Sequence, residues 1–489
     1  MSDIKNRRQH LDSLFDPRSV AVIGASNDMI KWGCNILNIL LAKGGREIYA
    51  VNRNGNDVQG LKAFRSIGEI PGPVELAVIT VPFQDIPEAM RGCVRKGVNV
   101  AVIISGGLAE TGGEGERVER EVAETARGGG IRFVGPNCMG NFDAYSDFFT
   151  VPYLPPVRKG SLSLIAQSGN TSQAIAYLAY EAGLGFSKYI SSGNEADLSF
   201  EDYLEYLADD KETKVIVGYV EGFRDGRRFF NLAKEITKKK PIVLMKAGRT
   251  EAGSRAARSH TASLAGSDEV SEAVFRQCGV IRVDGVTEVV DVALALLGQP
   301  LPRGRRVGVL STGGGGAVMT ADALMRQGLE LPPLSPATTE KLDSILSRRW
   351  SRGNPIDNGG DPFDYSGLWT LLEDENIDAA LMIGAAGVAR NMAGWVHVPD
   401  GMEEAVDEWI ESSESDELND IDRLLGVMHT YGKPAVFCDL GIPARKTGEL
   451  YKKLEENHIV PFLTPDRAAR ALAHLVRYSE YLGVAERRG

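Results

Sequence analysis

Short runs of β-branched and other apolar residues alternate along the chain with longer stretches of helical periodicity. The runs Ser19–Ile23 and Val215–Val220, for example, are five and six residues long and almost wholly apolar. Buried parallel strands joined by crossover helices have this pattern, because such strands are covered on both faces. The sequence therefore predicts an α/β protein built on parallel sheets.

The chain divides into three such blocks. Predicted strands are Ser19–Ile23, Glu47–Val51, Leu76–Val81, Val98–Ile104 and Ile131–Val134 in the first block; Ser161–Ala166, Phe186–Ile190, Val215–Val220, Ile242–Lys246 and Val280–Val283 in the second; and Arg306–Ser311, Ala379–Ile383, Ala435–Cys438 and Ile459–Phe462 in the third. Proline-rich links at 151–160 and 298–304 separate the blocks, since proline interrupts both helices and strands. We therefore predict three consecutive domains, at residues 1–152, 153–300 and 301–489.

The stretch from Pro399 to Asp422 is rich in Asp, Glu and Ser. Such a run of like charges is typical of a solvated surface. We expect a surface insertion there, part helix and part loop, with no chemistry of its own.

Composition and charge narrow the function classes. The 489 residues are 43% hydrophobic and 25% charged, and the net charge is −11. An acidic chain without a basic stripe argues against nucleic acid as the main partner. The N-terminus lacks an apolar signal-peptide core, and no apolar run is long enough for a bilayer. We therefore expect no membrane association and a cytoplasmic location.

Five cysteines are scattered through the chain without a CxxC pair, at Cys34, Cys93, Cys138, Cys278 and Cys438. An odd, sparse set is typical of a reducing compartment and offers neither a disulfide framework nor a zinc site. HExxH, EF-hand and P-loop motifs are also absent from the sequence, so we predict no metal site and no nucleoside-triphosphate loop of this kind.

The first strand runs into a tight turn at Gly24, which is typical of a nucleotide-binding sheet. Ser26 stands where the dinucleotide fingerprint requires its second glycine, and Met29 stands where it requires the third. After the second strand, Arg53 lies where an acidic residue would bind the ribose of NAD. A basic side chain there favours a phosphate. The sequence predicts a Rossmann-like sheet for a phosphorylated adenosine ligand other than NAD.

Other predicted strand ends of the first block also carry small or polar residues. Each alone is compatible with an ordinary turn. Because the carboxyl ends of parallel strands share one edge of a sheet, several together predict a ligand crevice. The candidate binding residues are Gly24, Ser26, Asn27, Arg53, Val81, Pro82, Ser105, Gly106, Asn137 and Cys138.

Two further strand-to-helix turns have the composition of anion sites. Ser168, Gly169 and Asn170 open a helix in the second block, and Gly314, Gly315 and Gly316 open one in the third. The free N–H groups and the dipole of a helix start attract anions, and glycine allows close backbone approach. For the glycine-rich turn of the third block a flexible linker is the alternative, but the flanking apolar strands and helix disfavour it.

His260 lies between Ser259 and Thr261, among small residues and close to arginines. A lone histidine is most often structural or on the surface. The small neighbours, however, leave room for a group on the imidazole, and a covalent nucleophile that carries phosphate is one such role. Glu221, after a strand of the same block, is the candidate carboxylate that orients it, although a turn or cap carboxylate is the alternative.

Taken together, these segments resemble the NDP-forming acyl-CoA synthetases, the family of succinyl-CoA synthetase, and more closely their ADP-forming acetyl-CoA synthetase α-subunits. The resemblance covers about residues 10–480 and is carried by Val22–Asn27, Ile103–Gly107, Gly135–Cys138, Gln167–Gly169, Ser192–Asp197, Tyr219–Gly222, Ser259–Thr261, Leu264–Gly266 and Asn354–Asp357. It implies a Rossmann-like CoA-binding domain followed by two flavodoxin-like, succinyl-CoA-synthetase-like domains.

The resemblance also implies roles for individual residues. The first block would bind coenzyme A, and His260 would be phosphorylated while Glu221 orients it. The phosphate would lie between the helix starts at Ser168–Asn170 and Gly314–Gly316. The reaction would interconvert acyl-CoA, ADP and phosphate with a small carboxylic acid, ATP and CoA, through an acyl phosphate and a phosphohistidine.

The resemblance further implies a partner. In this family an ATP-grasp unit, fused or separate, binds Mg-ADP or Mg-ATP. The three predicted blocks leave no stretch of the sequence for a further domain of about 200 residues. We therefore expect a separate ATP-grasp β-subunit and a hetero-oligomer.

Two other function classes fit the sequence less well than an acyl-CoA synthetase. A non-catalytic CoA-binding or acyl-CoA-binding regulatory module would keep the fold but would have no need for His260 among hydroxyl groups. An NAD(P) oxidoreductase is disfavoured by the missing glycines and the missing ribose acid. An enzyme is therefore the favoured prediction.

Overall fold

A computed structural model of the protein describes residues 2–253, 255, 267–360, 365–384, 398, 400–440 and 448–485. Two compact units make up the chain: unit 1 consists of Met1–Glu181 and Gly185–Val289, and unit 2 of Ala182–Leu184 and Val290–Gly489. The described residues form three mainly parallel sheets, which confirms the predicted α/β class. No helix in the described ranges has both the length and the apolar composition for crossing a bilayer.

The first sheet has six parallel strands in the order β3-β2-β1-β4-β5-β6. Its strands are β1 Ser19–Ile23, β2 Glu47–Val51, β3 Ala63–Phe64, β4 Leu76–Ile79, β5 Val100–Ile103 and β6 Arg132–Val134, and its helices are α1 Ser2–Phe15, α2 Trp32–Lys43, α3 Ile86–Lys96 and α4 Gly113–Gly128. Short 3-10 turns cover Ile67–Glu69, Phe83–Asp85 and Ala109–Thr111. This strand order is that of a Rossmann fold, and it reverses between β1 and β4.

Successive residues of the first sheet point to opposite faces, and each face has its own core. Val20 and Val22 of β1 pack in the cluster that contains residues of α1 and α2. Ala21 and Ile23 pack in the cluster that contains residues of α3 and α4. The alternation follows from the two-residue period of a strand. Both faces are apolar, which is why the strands are continuous hydrophobic runs in the sequence.

The second sheet has seven strands in the order β13-β12-β11-β9-β10-β7-β8. The strands are β7 Gly140–Asp143, β8 Phe148–Phe149, β9 Lys159–Ala166, β10 Phe186–Ser191, β11 Val215–Val220, β12 Ile242–Lys246 and β13 Ile281–Val283, and the helices are α5 Gly169–Glu181, α6 Phe200–Asp209, α7 Gly226–Ile236, α8 Asp268–Cys278 and α9 Val286–Gly298. Five strands are parallel, while β7 and β8 form a hairpin that pairs antiparallel with β10. This hairpin precedes residue 152 yet belongs to the second sheet, and most of the first two predicted domains lies in unit 1. Their boundaries stay a prediction.

A buried ion cluster joins the hairpin to the parallel strands. Lys188 on β10 lies opposite Asp143 on β7. Its Nζ lies 3.0 Å from a carboxylate oxygen of Asp143 and 3.0 Å from one of Asp210. Burial alone would raise the pKa of Asp210, but hydrogen bonds from Thr213, Lys188 and Ser187 outweigh it and lower this pKa. The lysine therefore compensates two carboxylates that have little access to water.

The third sheet belongs to unit 2 and has four parallel strands in the order β15-β14-β16-β17. Its strands are β14 Val307–Ser311, β15 Ile356–Asp357, β16 Ala379–Ile383 and β17 Ala435–Cys438, and its helices are α10 Gly314–Arg326, α11 Pro336–Ile345, α12 Tyr365–Glu373, α13 Glu403–Tyr431, α14 Glu449–Glu456 and α15 Pro465–Leu482.

Two expectations for this block differ from the structure. Of the predicted strand Ile459–Phe462, only Phe462 pairs, in an isolated bridge with Cys438. The acidic stretch is not part loop beyond residue 402, because α13 continues unbroken for 29 residues. Its second half buries Ile421, Leu424 and Met428. Their three-to-four-residue spacing anchors the helix, while acidic residues on the other side, such as Glu411, Asp416 and Asp422, are exposed.

Replacement of Lys188 by methionine should lower the free energy of unfolding by about 3–5 kcal/mol, because two buried carboxylates would lose their cation. Denaturant unfolding at neutral pH measures this loss. Lys238→Met is the matched control, since Lys238 is half exposed and bonds Glu235 at 2.9 Å; it should cost at most about 1 kcal/mol.

The stabilisation should also depend on pH. Because the pKa of Asp210 is lowered in the folded state, the contribution is present above the unfolded aspartate pKa of about 4 and is lost as the pH falls below it. The difference between Lys188→Met and the unmodified chain should therefore shrink in acid. A pH-independent difference would contradict the assignment.

Candidate functional site

A large cleft opens in unit 1 at the carboxyl ends of the first-sheet strands. Residues after β1, β2, β4, β5 and β6 line it, together with the start of α5. Its volume is about 1570 Å³, well above the roughly 300–1,000 Å³ of common small-molecule pockets. Ligands of doubly wound sheets bind at this edge, next to the point where the strand order reverses. The cleft therefore suits a long ligand that extends beyond a single mononucleotide.

The structure brings nine of the ten predicted CoA-binding residues to the lining of this cleft. They are Gly24, Ser26, Arg53, Val81, Pro82, Ser105, Gly106, Asn137 and Cys138. Asn27 is not among the lining residues. Its Nδ2 donates to the Asp57 carbonyl at 3.0 Å, and its Oδ1 accepts from the Gln59 amide at 2.8 Å. Asn27 thus supports the adjacent loop.

Two glycines allow α2 to approach the turn after β1. Gly24 has a φ of +98°, and a Cβ there would lie 2.6 Å from Thr80 Oγ1. A Cβ at Gly33 would lie 2.1 Å from the Gly24 carbonyl oxygen. Close helix–strand packing is the role of the third glycine in the dinucleotide fingerprint. Sequence reasoning placed that position at Met29 and missed Gly33, four residues further on, in the first turn of α2.

The cleft carries an excess of positive charge. Its basic lining residues are Lys31, Arg53, Arg65, Arg95 and Lys96. Two acidic residues, Asp85 and Glu88, oppose them. Arg53 is 85% exposed and its Nη1 lies 3.9 Å from Asp85, so its guanidinium is accessible to a ligand. The other four basic residues were not predicted from the sequence, where they stand among many other surface charges.

Cys138 lines the cleft but is not a nucleophile at neutral pH. The side chain is 4% exposed, and the thiol donates to the Ile103 carbonyl at 3.2 Å. Burial raises the pKa of Cys138 to about 12. Since only a thiolate attacks or binds metal, this residue contributes shape and a protonated thiol.

The far part of the cleft is formed by the start of α5. Ser168, Gly169 and Asn170 line it, and the Ser168 hydroxyl accepts from Thr171 Oγ1 at 3.0 Å. A Cβ at Gly169 would lie 2.6 Å from the sulfur of Met139, so a side chain there would have to displace the Met139 side chain. The first N–H groups of a helix have no partner within the helix. This end of the cleft therefore offers N–H donors of the kind that bind anions.

Glu221 follows β11 and is held at its backbone from two sides. Gln167 Oε1 accepts from the Glu221 amide at 2.6 Å and from the Gly222 amide at 3.2 Å. The buried Lys246 donates to the Glu221 carbonyl at 2.8 Å. Burial first, then the charge of Glu221 and a hydrogen bond to it, raise the pKa of Tyr219. Gln167 was not a predicted site residue, although it precedes the predicted helix start directly.

The predicted nucleophile, His260, lies outside the described residues. The described chain that precedes it leaves the sheet at the end of β12, where Lys246 is in register with Val220 of β11. Glu221 and Ala247 therefore follow directly from paired residues of two adjacent strands. The departure of the chain toward residue 260 begins beside Glu221.

The second predicted helix start lies in unit 2, at the beginning of α10. A Cβ at Gly314 would lie 2.9 Å from Asp357 Oδ2, and Asp357 Oδ1 accepts from the Gly359 amide at 2.9 Å. Ser311 Oγ donates to the Gly313 carbonyl at 2.8 Å. These contacts shape the turn around Gly314–Gly316. The shared phosphate site with Ser168–Asn170 stays a prediction.

Two models of known domain families match separate parts of the chain. Residues 18–142 match the model of a CoA binding domain. Residues 159–296 match the model of the succinyl-CoA ligase like flavodoxin domain. The first match covers the whole first sheet, and the second covers the five parallel strands of the second sheet.

Relatives extend the similarity to nearly the whole chain. The α-subunit of acetate–CoA ligase [ADP-forming] II from Pyrococcus furiosus is 40% identical over 97% of this chain and 99% of its own. Acetate–CoA ligase [ADP-forming] I from Archaeoglobus fulgidus is 37% identical over 96% of this chain, which spans 64% of that protein.

Solved structures show the same similarity over nearly the whole chain. The dinucleotide forming acetyl-coenzyme A synthetase 1 of Candidatus Korarchaeum cryptofilum, in complex with phosphate and ADP, superposes with a TM-score of 0.81 at 31% identity, over 97% of this chain and 98% of its own. The resemblance noted in the sequence is thereby confirmed. The chain belongs to the NDP-forming acyl-CoA synthetase family and is an enzyme of the acid–thiol ligase class.

Proposed function

We propose that the chain is the α-type subunit of an ADP-forming acyl-CoA synthetase. It would interconvert acyl-CoA, phosphate and ADP with a carboxylic acid, CoA and ATP. The observation that carries this proposal is the single cleft that extends from the turn at Gly24 to the helix start at Ser168–Asn170. One ligand site and one anion site are thus open to each other.

Coenzyme A fits the cleft by its chemistry. The ligand has phosphates and an adenosine at one end and a thiol on a long flexible arm at the other. The basic side chains around Arg53, Arg65 and Arg95 suit the phosphates. The arm would follow the strand ends past Ser105 and Asn137 and bring the thioester toward the start of α5.

The anion end suits inorganic phosphate. The N–H groups of the first α5 turn and the Ser168 hydroxyl are donors for its oxygens. A phosphate oxygen there would attack the thioester carbonyl, the C–S bond would break, and CoA would leave as the thiol after taking a proton. The product is an acyl phosphate. The Korarchaeum relative was solved in complex with phosphate and ADP, which supports an anion site in this fold.

His260 would then take the phosphoryl group. A ring nitrogen would attack phosphorus, the P–O bond to the acyl group would break, and the carboxylate would leave. The β-phosphate oxygen of ADP would finally accept the phosphoryl group and restore the free histidine. Glu221 would orient the imidazole and stabilise its positive charge, as carboxylates do for catalytic histidines. The register of β11 with β12 supports this pairing, because the chain leaves β12 at Ala247, beside Glu221.

The nucleotide step would take place with a second subunit. The Pyrococcus furiosus relative, which this chain matches over 99% of its length, is named an α-subunit. We propose an ATP-grasp β-subunit that binds Mg-ADP and forms a hetero-oligomer with this chain.

His260 should become phosphorylated when the chain is incubated with acyl-CoA and radiolabelled phosphate. The label should be labile to acid and stable to alkali, as a phosphoramidate is. His260→Ala should abolish it, whereas His429→Ala, which changes an exposed histidine of α13, should not. Label on Ser or Thr, or label that survives in His260→Ala, would disprove the phosphohistidine, whereas the absence of any label would favour a CoA-binding regulator.

Replacement of Arg53 by glutamate should weaken CoA binding by about 1–3 kcal/mol, the scale of one charge-assisted hydrogen bond. This corresponds to roughly a 5- to 150-fold higher Kd, measured by calorimetric titration. Arg117→Glu is the matched control: it makes the same charge change on the exposed face of α4, away from the cleft. Equal affinities in both variants would remove Arg53 from the site.

The chain alone should form phosphohistidine from acyl-CoA and phosphate but should make no ATP from added Mg-ADP. The physical reason is that the acceptor phosphate must be held in line with the phosphohistidine by a nucleotide site that we assign to the partner. Luciferase detection of ATP, with and without the co-expressed partner, makes the comparison. Sustained ATP synthesis by the chain, shown free of any partner, would contradict the two-subunit proposal.

A further inference from the structure

The segment Ser192–Asp197 connects β10 to α6 and has no role in the mechanism so far. It contains Glu195, whose side chain is 3% exposed and whose φ is +53°. Positive φ is uncommon for a residue with a side chain, and a buried carboxyl group is costly without partners. Strained, buried residues of this kind concentrate at functional sites, which suggests that Glu195 supports such a site.

Both carboxylate oxygens of Glu195 accept hydrogen bonds. Oε1 accepts from the Ser192 hydroxyl at 2.7 Å. Oε2 accepts from Gln167 Nε2 at 2.9 Å. One oxygen therefore secures the segment itself, and the other reaches across to the residue that precedes the anion-binding helix start.

Gln167 passes this contact on to Glu221. Its Oε1 accepts from the amides of Glu221 and Gly222, at 2.6 and 3.2 Å. Its Nε2 donates to the Gly222 carbonyl at 2.8 Å as well as to Glu195. Two acceptor sites and two N–H groups are thus all used, which is the full capacity of a primary amide. If this amide were rotated by half a turn, its nitrogen would face the two backbone amides and its oxygen would face the Glu195 carboxylate and the Gly222 carbonyl.

We infer that Glu195 is a positioning residue, which holds Gln167 and through it sets the place of Glu221 next to the residue that precedes the anion-binding helix start. The inference rests on the proposed function, because Glu221 matters to the reaction only if it orients the phosphorylated histidine. Glu195 itself would touch neither phosphate nor histidine.

What Glu195 supplies is a hydrogen-bond acceptor for Gln167. Burial raises the pKa of Glu195 to about 7, while the hydrogen bonds from Ser192 and Gln167 act in the opposite direction and the nearby Glu201 adds to the rise. The negative charge is therefore weakly favoured at this place. A glutamine side chain could offer its carbonyl oxygen to Gln167 and its amide nitrogen to the Ser192 oxygen.

Three variants separate this role from general damage to the fold. Glu195→Ala removes the acceptor, and Glu195→Gln keeps one in the same place. Glu119→Ala is the matched control: this partly buried carboxylate accepts from Asn194 of the same segment at 2.8 Å and makes no contact with Gln167. Thermal unfolding establishes that each variant is folded.

The first readout is the rate at which His260 is phosphorylated from acyl-CoA and phosphate. Glu195→Ala should reduce the rate by up to about 100-fold, because a displacement of about 1 Å in a catalytic array can cost that much. Glu195→Gln and Glu119→Ala should stay close to the unmodified chain. A folded Glu195→Ala variant with an unchanged rate would overturn the inference, and so would Glu195→Gln if it were as slow as Glu195→Ala.

The second readout does not depend on the reaction. Hydrogen exchange of the Glu221 and Gly222 amides should become faster in Glu195→Ala but not in Glu195→Gln or Glu119→Ala, because these amides donate to Gln167. If the unmodified chain forms no phosphohistidine while the exchange pattern holds, the proposed function fails and the positioning of Glu221 stands. Slow exchange in Glu195→Ala, with normal phosphorylation of the unmodified chain, would refute the positioning alone.

Discussion

A short backbone ladder between two loops holds the site of unit 1 together. The amides of Asn194, Ala196 and Leu198 donate to the carbonyls of Pro136, Gly135 and Phe133, at 2.9, 3.0 and 3.1 Å. The first loop follows β10 of the second sheet, and the other follows β6 of the first. The cleft can extend from the Rossmann turn to the start of α5 because this ladder joins the two sheets where their strands end. Gly193, with a φ of +62°, is required, since a Cβ there would lie 2.2 Å from the Pro136 oxygen.

The cleft so formed separates two kinds of anion recognition. At one end, exposed guanidinium and ammonium groups such as Arg53 stand in water, where such groups can bind phosphates without a fixed geometry. At the other end, the fixed N–H groups at Ser168–Asn170 offer a small site with defined directions. The first kind suits the binding of a large cofactor, and the second suits a reacting phosphate whose orientation matters.

The sequence predicted correctly those strands whose own residues form an apolar run. Apolar runs such as Val215–Val220 and Ala379–Ile383 were predicted with the bounds that the structure has. It missed β7, whose residues Gly140–Asp143 include Asn and Asp, because that strand is stabilised by Lys188 and Thr150 from elsewhere in the chain. The predicted strand Ile459–Phe462 was wrong for the converse reason. Its residues are apolar, but only Phe462 pairs, in an isolated bridge.

The same distinction applies to the site. Gly24 and the helix start at Ser168 could be predicted, because their chemistry follows from a local turn. Gly33 and Gln167 could not, because the first is defined by the approach of the Gly24 carbonyl and the second by amides that follow β11. Three strand ends meet at Glu221: Gln167 after β9 holds its amide, β11 carries it, and Lys246 of β12 holds its carbonyl. The three strand ends thus form one hydrogen-bonded support for the backbone of Glu221.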